Sequence, residues 1–246
     1  MIRTFIILCL FVSITREGSA QNDMNLDLNL AAGFQVVQAE SMLRAADLTL
    51  VGLADLFSDD ENDTIDPLIT HNSLNRKIEK TPGLQALFTV DVAGQLLHDS
   101  FIYPTRSLNL RERGYIQNAL MLKPNQLFIG KPIPNQFIGF DSLPVSRAIF
   151  NTKNHLKGVA VAILTPDHLL DRSYICTKCL VSVFKTNGEK MVSFPASMEK
   201  KMAIKDLMKD YAPNTVFDLT IRTLKTKSLW VKFSQYDLVL LYSYVL

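Results

Sequence analysis

The chain is poor in the residues that usually announce chemistry. It has three cysteines in 246 residues, so neither a disulfide-dense scaffold nor a multi-cysteine metal centre is available. Its four histidines, His71, His98, His155 and His168, are scattered without ligand spacing. The acidic run Asp59–Asp63 lacks the ordered spacing of a calcium loop. Formal charge is only +2 and no dense Lys/Arg cluster stands out, which argues against a nucleic-acid partner. Lys200, Lys201, Lys205 and Lys209 fall partly along one helix face, and such runs are usually solvated. No glycine-rich catalytic loop or kinase motif occurs, and no Ser/His/Asp set can be argued. One apolar run, Phe5 to Ile14, is conspicuous, yet its ten residues fall well below the ~20 needed to cross a bilayer. The closing run Val239–Leu246 is shorter and reads as a strand.

What is present at the N-terminus is an order of features. Arg3 precedes the apolar run, and Gly18-Ser19-Ala20 follows it. A charged, then apolar, then small-residue order is that of a secretory signal peptide, cleaved after Ala20. The alternative is an uncleaved anchor. Cleavage removes Cys9 and leaves Cys176 and Cys179, a pair suited to one local disulfide in an exported protein. Location is therefore periplasmic or secreted, or the inner membrane if the leader is retained.

Hydrophobic residues make up 48% of the chain and charged residues 20%, a balance that gives a packed core rather than disorder. Gln21–Leu30 is polar and reads as frayed. From there Val36, Ala39, Leu43, Ala46, Leu50, Leu53 and Phe57 alternate spacings of three and four, which predicts a helix over Phe34–Phe57. The stripe suits a dimer seam and a core-packing face equally. A second helix is expected over Ile65–Lys80, broken by Thr81-Pro82-Gly83. Strands follow at Leu84–Val92 and Gln95–Tyr103, then a helix at Leu110–Leu122. Strands are next expected at Leu127–Ile133, Phe137–Val145 and Gly158–Leu164, the last buried on both faces. Thr165 should cap a short helix over Thr165–Ser173. Then come strands Leu180–Phe184 and Glu189–Phe194 about a type I′-like turn at Asn187-Gly188, a helix over Met198–Tyr211, and strands Phe217–Leu224, Leu229–Phe233 and Tyr236–Tyr244. A hairpin–helix–strands order thus occurs twice.

The stretch Asn109–Ile149 concentrates the candidate binding groups: Arg113 and Tyr115 at a helix start, Ser146 and Arg147 in a strand. A guanidinium offers a rigid fork of donors matched to a carboxylate, and a tyrosine offers an apolar wall with one polar tip. The competing reading of Arg113 and Arg147 is pairing with local acids such as Glu112 or Asp141. Cys176 and Cys179 follow a helix end and lead into a strand. That is the reverse of a thioredoxin-type setting, so a structural disulfide is favoured over thiol oxidoreductase chemistry.

Six segments, in order, resemble the double Cache, PAS-like extracytoplasmic sensor domain of bacterial diguanylate cyclases and histidine kinases. The helix from Glu40 with its flanks resembles that family's long leading helix. Asn109-Leu110 through Arg113 and Tyr115 resembles its NLSDRDYF element, and Leu127–Ile133 its LFIGRPV. Leu143–Ile149 resembles IPLSRRI, Gly158–Leu164 resembles GVVVASL, and Asn187-Gly188 stands at the DG turn of the second module. The resemblance implies an α+β fold: a long N-terminal helix and two PAS-like modules with antiparallel sheets. Residues 1–20 would be the signal peptide, 21–64 the helix, 65–165 the membrane-distal module and 166–246 a smaller membrane-proximal one. It implies a non-enzymatic module sensing a small anionic or zwitterionic solute through Arg113, Tyr115, Ser146 and Arg147, with no cofactor and no metal. Implied partners are a second copy through the long helix and a membrane-bound kinase or cyclase.

The chain departs from the pattern at Gly114, where an acid is common, at Asp141, where an aromatic is frequent, and at Ala148, where a second Arg stands. Strand Gly158–Leu164 carries no Asp to hold an amino group. The sequence runs to Leu246 without the family's usual membrane helix and output domain, so a free-standing exported sensor or a truncated receptor is the expectation. The alternatives are a structural or dimerisation module without a ligand, and the oxidoreductase.

Overall fold

The structure is a computed structural model. It describes residues 2–58, 66–134, 141–196 and 203–246, with side-chain surroundings from residue 27 onward. Two compact units make up the chain: Gln38–Leu170, and Met1–Val37 together with Asp171–Leu246.

Helix α1 spans Ile2–Leu56. Gln21–Leu30 is therefore helical rather than frayed. No proline interrupts the segment, and Leu28 and Ala32, near its end, are buried. Gln35 is fully buried as well, and its amide holds the backbone of Asp171 through both its nitrogen (2.9 Å) and its oxygen (2.8 Å). In the other unit the stripe residues Ala39, Leu43, Ala46, Leu50 and Leu53 have no exposed surface, and Phe57 has 5%. Each buried leucine stabilises by about 1.5–3 kcal/mol. The stripe is thus a core-packing face, filled by the chain itself.

Helix α2 spans Pro67–Lys80. The Asp66 carboxylate accepts from the Leu68 and Ile69 amides, and Pro67 occupies the first turn, where its missing N–H costs nothing. Strands β1 (Leu84–Asp91), β2 (Leu96–Asp99), β3 (Leu127–Ile129), β4 (Leu143–Phe150) and β5 (Leu156–Leu164) form an antiparallel sheet in the order β2-β1-β5-β4-β3, with helix α3 (Gly114–Ala119) after the hairpin. The second unit repeats this plan. Strands β6 (Cys179–Lys185), β7 (Lys190–Phe194), β8 (Phe217–Ile221), β9 (Leu224–Lys232) and β10 (Leu238–Val245) order as β7-β6-β10-β9-β8, with α4 (Ile204–Asp210) after its hairpin. In both sheets the last strand lies in the centre, flanked on both sides.

The two hairpins also share a turn. Gly94 donates to the Asp91 carbonyl and Asp91 to that of Gln95; Gly188 donates to Lys185 and Lys185 to Glu189. Only the glycines have positive φ (83° and 94°), so the second turn is not type I′, which needs it at both central residues. Pairing shifts by one residue beside each turn, the signature of a bulge.

Other sequence expectations shift. Strand β2 stops at Asp99, whose carboxylate takes the Phe101 amide and turns the chain away. The helix expected at Thr165–Ser173 is two short 3-10 turns, Pro166–Leu169 and Arg172–Tyr174. Thr165 does not cap it; its hydroxyl accepts from the Gln85 amide at 2.7 Å. Strand β9 begins at Leu224 rather than Leu229. The tight turn before it is carried by Arg222 at φ 57°, without the glycine that would have marked it. The acidic run Asp59–Asp63, the start of the strand expected from Phe137, and Lys200 and Lys201 of the basic helix lie outside the described residues.

Candidate functional site

The two faces of the first sheet are chemically distinct. Strand register places Phe88, Val161, Ser146 and Phe128 in one row across β1, β5, β4 and β3. The neighbouring row is Thr89, Ala160, Arg147 and Leu127. Successive residues of a strand point to opposite faces, so these rows look in opposite directions.

The first row looks toward α3. Ile116 and Ala119 of that helix are fully buried on Phe88, Val90, Leu96, Val159 and Val161. The helix is shorter than Leu110–Leu122 because the backbone before it is engaged elsewhere. Leu110 donates to the Gly94 carbonyl at 2.7 Å, and the Asn109 carboxamide accepts from the Arg111 amide at 2.9 Å. The Arg111 guanidinium binds the Val92 carbonyl. The segment is thereby tied to the β1–β2 turn, and α3 starts only after Arg113, whose extended backbone (φ −73°, ψ 123°) marks the boundary.

This tether sets Arg113 at the exposed boundary of the helix and Tyr115 in its first turn, packed against the core. The Tyr115 ring is half-buried and meets Phe88 edge-on, with centroids 6.4 Å apart. Burial pushes the Tyr115 phenol above its ordinary pKa, and the Arg113 guanidinium pulls in the opposite, weaker sense. The phenol therefore keeps its proton at neutral pH. The Ser146 hydroxyl donates to the Tyr115 carbonyl at 2.9 Å, pinning α3 to β4.

Arg147 is on the other face. It is 6% exposed, and its Nε and Nη2 donate to Asp47 of α1 at 3.1 and 2.6 Å. The four candidate residues therefore do not converge: Arg113, Tyr115 and Ser146 share the α3 side, and Arg147 clamps the sheet to the long helix. The acid it pairs with is neither Glu112 nor Asp141 but one a hundred residues earlier.

Of the four arginines between Asp99 and Phe150, three are committed. Arg106 pairs with the buried Asp99 at 3.3 Å, Arg111 with a carbonyl and Arg147 with Asp47. Arg113 is exposed, and its guanidinium makes no hydrogen bond or ion pair among the described residues. The same holds for the Tyr115 hydroxyl. The Arg113 guanidinium and the protonated Tyr115 phenol interact electrostatically and together present three or more donors on the α3 side. Phe88 and Phe128 belong to this face and were missed from sequence. Counting strand alternation outward from Ser146 would have found Phe128 only once β3 was paired with β4.

In the second unit Cys176 and Cys179 form a disulfide at the entrance to β6. The Tyr242 phenol beside it is held above its ordinary pKa by burial, partly offset by a backbone hydrogen bond from Cys176.

No protein-family model and no curated protein matches the chain. Solved structures do. The extracellular domain of a histidine kinase, rpHK1S-Z16, superposes with a TM-score of 0.77 at 19% identity, over 92% of this chain and 95% of that one. The ligand-binding domain of the Pseudomonas fluorescens chemoreceptor CtaA, in complex with L-serine, gives 0.69 at 13% identity over 92% and 98%. That of the Campylobacter jejuni chemoreceptor Tlp3, in complex with 4-methylisoleucine, gives 0.67 at 12% over 91% and 91%. The fold is that of Cache-type extracytoplasmic sensor domains: a long leading helix and two PAS-like α+β modules.

Proposed function

We propose that the chain is an extracytoplasmic binding module, not a catalyst, which senses a small anionic or zwitterionic solute on the α3 side of its first sheet. The observation that carries this reading is the unpaired Arg113 guanidinium beside the half-buried, protonated Tyr115 phenol. A carboxylate placed there would accept charge-assisted hydrogen bonds from the first and an ordinary one from the second. The shared fold supports it, since CtaA and Tlp3 hold amino acids in domains of this architecture. Ser146 acts indirectly, by holding α3 through the Tyr115 carbonyl. Arg147 acts from the far face, holding β4 to α1 through Asp47. The apolar leader supports export, and a membrane-bound kinase or cyclase is the partner such a module would serve.

A thermal-shift screen of small carboxylates and amino acids tests the site. A hit should weaken by ~10- to 100-fold in Arg113→Ala, the loss of one or two charge-assisted hydrogen bonds. Hits that Arg113→Ala leaves unchanged would reject this site.

A second reading, a module that pairs with its own copy through α1, is supported by a different helix face from the stripe. Leu30, Phe34 and Val37 are 58%, 53% and 62% exposed at spacings of four and three. Sedimentation of the wild type against Phe34→Glu tests it; a monomer at all concentrations would reject it.

A further inference from the structure

We propose that one end of the second sheet is a lipid-contact surface that seats on anionic phospholipid headgroups. Strands β6 and β9 start, and β7, β8 and β10 finish, at this end. The last residues of β10 join the loops there. The Val245 amide donates to the Lys178 carbonyl at 2.9 Å, and the Leu246 amide donates to the Lys225 carbonyl at 3.0 Å. Lys178 and Lys225 therefore flank one strand, with backbones about 10 Å apart across two strand spacings.

The segments that make this end are one-sided in charge. Residues 172–178, 194–196, 221–227 and 244–246 carry Arg172, Lys178, Arg222, Lys225 and Lys227 and no acid. The first four of these cations are exposed. Lys227 pairs with Asp218 at 2.9 Å, whereas Lys178 and Lys225 make no ion pair among the described residues. Asp171, beside this end, already accepts from the Ser173 amide and hydroxyl. The opposite end is mixed: Lys185, Lys190 and Lys232 stand with Glu189 and Asp237, and Lys185 pairs with Glu189 at 3.1 Å.

Rings and an aliphatic side chain are interleaved with the cations. Arg172 lies over the Phe194 ring at 5.5 Å and Lys178 over the Tyr244 ring at 5.7 Å. Tyr174 stacks on Phe34 and is still 62% exposed; Leu224 is 42% exposed. The Cys176–Cys179 disulfide ties the first loop to β6, so the surface is preformed. An anionic lipid interface matches both features. Its phosphates accept from the lysines and arginines, and its boundary layer takes tyrosine and leucine.

Flotation of the full chain with vesicles tests this surface. The vesicles hold about 30% phosphatidylglycerol in phosphatidylcholine, or phosphatidylcholine alone. The chain should float with the anionic vesicles at low salt and be released by about 0.5 M salt. Lys178→Glu with Lys225→Glu should weaken binding about 30-fold or more at an unchanged melting temperature, since both side chains are exposed. Lys205→Glu with Lys209→Glu removes as much charge from exposed positions of α4 and should change binding by less than about threefold. Equal binding to neutral vesicles, as insertion of the apolar run Phe5–Ile14 would give, overturns the proposal. So does no binding to either vesicle, an unaffected Lys178/Lys225 variant, or an equal loss in the two double variants.

Discussion

Removing the Asp47 carboxylate should destabilise the first unit without touching ligand binding. In Asp47→Ala the Arg147 guanidinium, its side chain 8% exposed, loses the acceptor of both its hydrogen bonds to Asp47. Orphaning one partner of a fully buried ion pair costs about 3–5 kcal/mol. Here the carboxylate side is 27% exposed, so water replaces part of what is lost, and about 2–3 kcal/mol is expected. For a chain of this length that lowers the melting temperature by roughly 4–12 °C. Asp47→Leu combined with Arg147→Met replaces the pair by apolar volume and should return to within about 1 kcal/mol of wild type. Urea unfolding followed by circular dichroism reads all three proteins. A cost below about 0.5 kcal/mol for Asp47→Ala would refute the buried clamp. So would a double variant no more stable than the single one. Ligand affinity in the double variant should match wild type, because Arg147 lies on the face away from α3.

Leu43→Glu and Leu50→Glu should each prevent folding rather than dissociate a dimer, since both side chains have no exposed surface; a folded monomer in either would reverse that. Gly158→Ala should disrupt the β1–β5 pairing, because a Cβ there runs into the Val90 carbonyl; a loss of about 3 kcal/mol or more is expected, and a wild-type melting temperature would contradict the register. The Tyr115 phenol, raised by burial, contributes stability fully present below the ordinary tyrosine pKa and lost as pH rises through its folded value. Tyr115→Phe should flatten that alkaline loss. Arg113→Gln should raise the phenol further, read by ultraviolet difference titration, because the cation that lowers it is gone; an unchanged titration would show that the two groups are not neighbours.

The elements were legible where one physical signal dominates. The 3–4 spacing of Leu43, Ala46, Leu50 and Leu53 gave the helix face, and Gly158–Leu164 gave the central strand, because continuous burial leaves no ambiguity of period. Boundaries failed where side chains capture the backbone. Asp99 ends β2 early, Asn109 and Arg111 delay α3, and Arg222 turns the chain without glycine. Of the four candidate residues, Arg113 and Tyr115 stay neighbours because one caps and the other opens the same short helix. Ser146 and Arg147 were grouped by adjacency, yet adjacency in a strand separates side chains to opposite faces. The Asp47 pairing spans a hundred residues and leaves no local trace beyond an acid beside an apolar stripe.

Arg113 is the group proposed to grip the ligand. In a protein labelled with 15N at arginine side chains, the Arg113 Nε–H resonance should exchange freely with solvent before ligand is added. On saturation with a bound carboxylate it should shift downfield and become protected, while the Arg147 resonance, already held by Asp47, stays where it was. A saturated complex in which Arg113 is unmoved and Arg147 shifts would contradict the account.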